Sequence, residues 1–177
     1  MGRDITAAEF EELYRDTARD VFGFLRRRTT GDAEDLVAEV YAVAWRRRAD
    51  LPAPMLRRAW LFRVAHNLLK ADARRRRREG AVVDELAARP NGSGAAADGP
   101  PGTGRAAVIT RAMDRLSPGE REVLRLVVWE CLTPAELAVA LDVRPGTARV
   151  RLHRARQAFA SDPEVKALVG SVGCSVG

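Results

Sequence analysis

Leu132 to Arg156 reads LTPAELAVALDVRPGTARVRLHRAR. Thr133-Pro134-Ala135-Glu136 is a capping box with proline at the first helical position, so a helix is expected over 134–141. Asp142-Val143-Arg144 interrupts it, and Pro145 opens a second, basic helix to about Phe159. Two short helices joined by a tight turn, the second one basic, form the helix-turn-helix pattern. On the second helix Ala148, Leu152, Ala155 and Phe159 recur at spacings of four, three and four, an inward stripe. That leaves Thr147, Arg149, Val150, Arg151, His153, Arg154 and Arg156 outward, with Arg144 just before the first turn. In a major groove arginine binds guanine bidentately, while threonine or the helix N-terminus holds phosphate. For any one of these residues a solvated basic face is an equal alternative.

Working back from this motif, Ser117-Pro118-Gly119-Glu120 is a second capping box of the same design. It predicts a helix over 118–131, preceded by a shorter one over 105–116. Between Arg89 and Arg105 the sequence RPNGSGAAADGPPGTGR has almost nothing to bury and reads as a tether. The expected organisation is all-α: a helical bundle over 1–80, a flexible linker over 81–105, a four-helix domain over 106–160 and a short tail over 161–177.

In the first of these domains a helix is expected from Thr6 to Arg28, ended by Thr29-Thr30-Gly31. A second opens at Asp32 as N-cap, carries Asp35 in its first turn and runs to about Arg48. Its buried stripe is Leu36, Val40, Val43 and Ala44, and Asp32, Asp35 and Glu39 form an acidic stripe on another face. Pro52 and Pro54 prevent continuation, and a third helix starts near Met55. It holds WLFRVAHNLLKADARRRRR, Trp60 to Arg78, with Leu61, Val64, Ala65 and Leu68 inward. Trp60, Arg63, Asn67, Lys70 or Ala71, and Arg74 share one face, which Arg57 extends backward. A ring interleaved with cations suits unstacked single-stranded bases, although Trp60 taken alone reads better as a packing residue.

Composition sets the outer limits. The 177 residues carry a net charge of +6 and a pI near 10.3, and of 30 basic side chains only Lys70 and Lys166 are lysines. Arginine dominance fits phosphate and base recognition, and the codon usage of a GC-rich genome would produce it equally. No segment is a polycation: residues 1–88, 89–105 and 106–177 carry +3, +1 and +2. There is no apolar run of about 18 residues, and the start MGRDITAAEFEEL is acidic, so a cytoplasmic location is the expectation. Cys131 and Cys174 have no metal-ligand spacing, so no metal, cofactor or structural disulfide is expected.

Three blocks of this sequence resemble one family, the extracytoplasmic-function (ECF) group of bacterial sigma factors. Asp32-Ala33-Glu34-Asp35-Leu36-Val37-Ala38-Glu39-Val40-Tyr41 with Ala44-Trp45 resembles the AEDLVQEVF…AW helix that grips the coiled coil of the polymerase β′ subunit. Arg58-Ala59-Trp60-Leu61-Phe62-Arg63-Val64-Ala65-His66-Asn67, with Asp72 and the arginine run, is similar to the WLxRIAxN segment that opens and reads the minus-ten element. Leu116 to Leu124, Glu136-Leu137-Ala138 and Gly146 to Arg156 resemble the domain that binds the minus-thirty-five element. Ala38 stands where the family has glutamine, and Ala148 and Val150 replace the valine and serine of GTVKSR.

The resemblance implies a sigma region 2-like and a sigma region 4-like domain. It implies polymerase contacts at Asp32, Glu34, Asp35, Leu36, Glu39 and Val40, and minus-ten contacts at Arg57, Arg58, Trp60, Arg63, Asn67, Lys70, Arg74 and Arg75. It implies minus-thirty-five contacts at Arg144, Thr147, Arg149, Arg151, His153 and Arg154, and a minus-ten specificity loop around Ala49 to Leu56. The partners would be core RNA polymerase, through its β′ coiled coil and β flap region, promoter DNA in double- and single-stranded form, and an anti-sigma factor. A dependence on a large partner also follows from magnitudes. Opening ten base pairs costs about 14 kcal/mol of stacking, far more than one tryptophan and a few arginines offset. A free-standing helix-turn-helix regulator is the competing reading, and the acidic helix with the Trp60–Arg78 face speaks against it. An enzyme is disfavoured, because no Gly-rich phosphate loop, metal set or Ser/His/Asp grouping exists.

Overall fold

The computed structural model describes residues 5–83 and 104–173, with side chains through 78 and 169 in the two segments. The described residues are helical and fall into two units. The first holds α1 (Ala7–Arg26), α2 (Ala33–Arg46) and α3 (Pro54–Val83), with a single 3-10 turn at Arg48–Asp50. The second holds α4 (Arg105–Arg115), α5 (Pro118–Val128), α6 (Pro134–Leu141), α7 (Pro145–Ser161) and α8 (Pro163–Gly173). Most of the expected linker lies outside the described residues.

In the first unit the three helices pack mutually, because each carries one apolar stripe and none can bury it alone. Val21, Phe24 and Leu25 of α1, Val40 and Ala44 of α2, and Ala59, Leu61, Phe62 and Ala65 of α3 are shut from solvent. Phe24 and Phe62 stack with centroids 5.0 Å apart at the centre. Each ring removed from water in this way stabilises by roughly 2–3 kcal/mol. The start of α1 is a capping box that was not anticipated: Glu9 N–H donates to Thr6 Oγ1 at 3.2 Å and Thr6 N–H donates to Glu9 Oε2 at 2.8 Å. α2 begins at the expected cap, where Asp32 Oδ1 accepts from the Glu34 and Asp35 amides at 2.8 and 3.3 Å. α3 stays helical through the whole arginine run to Val83, three residues into the expected linker.

In the second unit both Pro-containing capping boxes are present: Glu120 N–H to Ser117 Oγ at 3.3 Å, and Glu136 N–H to Thr133 Oγ1 at 3.3 Å. The reciprocal bonds from Ser117 and Thr133 N–H are 3.1 and 2.9 Å. α5 stops at Val128, three residues early, and Cys131 then takes a left-handed φ of 52° that a helix cannot contain. α6 closes on Asp142, also left-handed at φ 54°, so its amide bonds back into the last turn and the chain reverses into α7. Arg121 holds α5 to the end of α4, donating to the Met113, Asp114 and Leu116 carbonyls at 2.9, 2.5 and 3.3 Å.

The tail expected over 161–177 has defined structure for most of its length. Asp162 caps α8 by accepting from the Glu164 and Val165 amides at 2.9 and 3.4 Å, and Val165 is buried. α8 packs on α4 and α7. Arg115 bonds Asp162 at 2.8 Å and also Glu164, and Arg111 reaches Glu164 at 2.6 Å. The Arg115 hydrogen bond holds the Asp162 carboxyl below its ordinary range, and Arg111 followed by Arg115 does the same for Glu164. Both therefore remain ionised partners to mildly acidic pH.

Candidate polymerase and nucleic-acid surfaces

On α2 the acidic stripe forms one wall of an open cleft of about 490 Å³ against α3. Asp32, Asp35, Leu36 and Glu39 line it on one side and Leu68, Ala71, Asp72, Arg75 and Arg76 on the other. Asp35 and Glu39 are exposed, whereas Asp32 spends its carboxylate on the helix cap. Glu34 is exposed outside the cleft. Val40, expected at the polymerase surface, is corrected to the core at 0% exposure, because it belongs to the same apolar stripe as Val37 and Ala44.

Along α3 the predicted stripe divides. Asn67, Lys70 and Arg74 are exposed, and Arg57 and Arg63 are half-buried. Arg57 donates to the Pro52 carbonyl at 3.4 Å, which ties the helix start to the loop before it. Trp60 is a correction: only 6% of it is exposed, and the Arg47 guanidinium lies 5.9 Å from its ring centroid. It stands one position before fully buried Leu61, on the edge of the apolar stripe, and its large ring turns inward from there. Arg58 is also redirected, pairing with Asp20 of α1 at 2.9 Å and lying 5.5 Å from the Phe62 centroid. Arg75 joins the cleft, bonded to Asp72 at 3.0 Å. Arg76 meets Asp72 at 2.8 Å and folds over Gly31, where a Cβ would come within 2.1 Å of its Nη2.

α7 presents the surface the sequence led one to expect. Ala148, Leu152 and Ala155 face inward, while Arg144, Thr147, Arg149, Arg151, His153 and Arg154 are all exposed. Phe159 is only partly covered. No side chain caps the start of α7, unlike α1, α2, α5 and α6, so its first amides are open to an anion from outside.

Sequence reasoning missed the surface at the far end of α2. Trp45 is 40% exposed, its indole meets Phe10 edge-on at 5.0 Å, and the Arg48 guanidinium lies 4.8 Å from its ring centroid. The run Trp45-Arg46-Arg47-Arg48, a ring followed by three cations at the end of a helix, is its signal in the sequence.

Comparison with known proteins follows the same division. Residues 13–79 match the model of sigma-70 region 2, and residues 106–159 match that of sigma-70 region 4. The chain is 33% identical over 163 residues to the ECF RNA polymerase sigma factor SigL of Mycobacterium tuberculosis, covering 86% of this chain and 88% of that one. It is 32% identical over 158 residues to the RNA polymerase sigma factor CarQ of Myxococcus xanthus, covering 86% and 87%. The fold is similar to that of the sigma factor RpoE of Bartonella quintana, solved with the anti-sigma factor NepR (TM-score 0.60, 22% identity, 86% and 94% covered). It is also similar to CnrH, solved with the cytosolic domain of CnrY (TM-score 0.56, 21% identity, 94% and 90% covered). With regions 2 and 4 in order and relatives matched over most of their length, the chain belongs to the ECF sigma factors of the sigma-70 family, non-enzymatic proteins that bind core RNA polymerase and direct promoter-specific transcription initiation.

Proposed function

We propose that α2 docks on the β′ coiled coil of core polymerase through Asp35 and Glu39, with Asp32, Glu34 and Leu36 around them. In this reading the outer face of α3, Arg57, Arg63, Asn67, Lys70 and Arg74, follows the opened minus-ten strand. Arg58, Trp60 and Arg75 act from beneath as packing and orienting residues. α7 enters the major groove of the minus-thirty-five element with Arg144, Thr147, Arg149, Arg151, His153 and Arg154, its open N-terminus on a backbone phosphate. The second unit engages the β flap region, work that belongs in the cytoplasm. An anti-sigma protein, of the kind bound to RpoE in its solved complex with NepR, would compete for these surfaces.

The observation that carries this reading is the separation of charge. Exposed carboxylates stand on α2 beside a cleft, and exposed cations stand along α3 and α7. A protein acceptor and a polyanion are thereby served by different faces. The test is gel filtration of the chain with bacterial core polymerase, using Asp35→Arg/Glu39→Arg as the comparison. The native chain comigrates and the variant, still helical, does not. A folded native chain that stays apart from polymerase would favour a free-standing DNA-binding regulator.

A further inference from the structure

We propose that Trp45, with Arg48 laid over it, is the surface on which an unstacked base of single-stranded DNA rests. The proposal builds on the reading above, that this unit holds the opened strand. A stacking platform needs an aromatic face that solvent can reach, held at a fixed angle, beside cations for the phosphates. Trp60 fails the first condition at 6% exposure. Trp45 meets it at 40%, and the edge-on contact with Phe10 at 5.0 Å fixes the plane of its indole.

Phe10 is itself held against Tyr41 at 6.3 Å, and Tyr41 is anchored in the core, so the platform stands on a rigid base. The Arg48 guanidinium, 4.8 Å from the indole centroid, adds a flat cationic layer on which a base can also stack. Arg46 and Arg47, next in sequence, are exposed, and Arg47, whose guanidinium lies toward Trp60, meets Asp50 at 3.7 Å in a surface pair that yields easily to phosphate. This end of α2 leads directly into the loop before α3, where Arg57 is bonded to Pro52.

Holoenzyme assembled from the full chain and bacterial core polymerase is titrated with a fluorescein-labelled single strand of random sequence, about 15 nucleotides long. Core alone serves as the reference, and a duplex of the same composition as the control. Trp45→Ala is expected to weaken single-strand binding by roughly 10-fold, within the range of one lost base stack. Trp45→Phe should retain most of it, and duplex binding should not change. Native-level strand binding by Trp45→Ala overturns the proposal. A measurement on the native protein removes any dependence on folding of the variant. With 5-bromouracil in the strand, ultraviolet cross-linking should label the tryptic peptide Thr29–Arg46, and label confined to other peptides overturns the proposal. Failure of the underlying reading is seen separately, before DNA is added, as a chain that does not join core polymerase.

Discussion

The hydroxyls of Tyr41 and Thr17 lie 2.7 Å apart in the core, and Thr17 Oγ1 is also 2.5 Å from the Leu13 carbonyl. The single threonine proton goes to the carbonyl, so Tyr41 is the donor between the two hydroxyls and must stay protonated. Burial pushes the Tyr41 pKa up to about 12. The neutral phenol is thus favoured by the folded state. Its contribution is complete below about pH 10, the unfolded value, and fades as pH rises toward about 12. Tyr41→Phe should cost about 1 kcal/mol at neutral pH and remove the part of the alkaline loss due to this residue. Denaturant melts between neutral pH and about pH 12, compared with the native chain, measure both.

Trp60→Ala should act through the fold. Its ring is 6% exposed beside Leu61 and beneath Arg47, so truncation leaves a cavity costing roughly 3–5 kcal/mol. Thermal unfolding of the first unit should shift strongly, and polymerase binding and promoter opening should fall together. Trp60→Phe, which refills most of the volume, should recover both. An Ala variant as stable as native, with promoter opening alone impaired, would return Trp60 to a direct role in DNA.

Arg115→Ala should loosen α8 from α4, since Arg115 bonds both Asp162 and Glu164. These carboxyls have pKa values lowered in the folded state, so the stability they confer is present above their unfolded pKa and disappears as pH falls through the folded one. The difference in melting temperature between native and variant should be largest near neutrality and vanish in strong acid. A difference independent of pH would assign the effect to packing of the arginine stem.

On α7, Arg149→Ala and Arg154→Ala should lower affinity for promoter duplex while comigration with polymerase persists, because both side chains are exposed on a helix whose packing uses other residues. A residue that contacts phosphate should also reduce the salt dependence, by about one unit of the log–log slope. One that reads a base should instead cost roughly 1–3 kcal/mol on the preferred sequence. Titrations at several salt concentrations separate the two roles.

Much of this was legible in the residues. The boxes at Ser117–Glu120 and Thr133–Glu136 specify helix starts through local bonds, and α6 falls on 134–141 as expected. Periodicity placed Ala148, Leu152 and Ala155 inward for the same reason. Trp60 and Val40 show where pattern fails. Periodicity assigns a face to Cα, and a large ring at the stripe's edge can turn either way. Val40 satisfied the apolar stripe and the family block at once, and burial decided between them. The helix expected from Thr6 opens on a readable Thr6-x-x-Glu9 box, and Asp162-Pro163 is a readable helix start within the expected tail. Arg58–Asp20 and Arg115–Asp162 join residues 38 and 47 positions apart, which no local pattern encodes.

α3 runs unbroken for 30 residues, a rod about 45 Å long at 1.5 Å per residue. Its first half is clamped by Leu61, Phe62 and Ala65, so the bearing of every arginine from 74 to 78 is fixed by rotation about the helix axis as well as by distance. One residue inserted after Leu69 would advance those arginines by only about 1.5 Å yet turn them by about 100°. The same charges would then face a different direction, with their number and the clamped first half of the helix unchanged. The rod is a dial, and its setting is stored in the count of residues between Phe62 and Arg74.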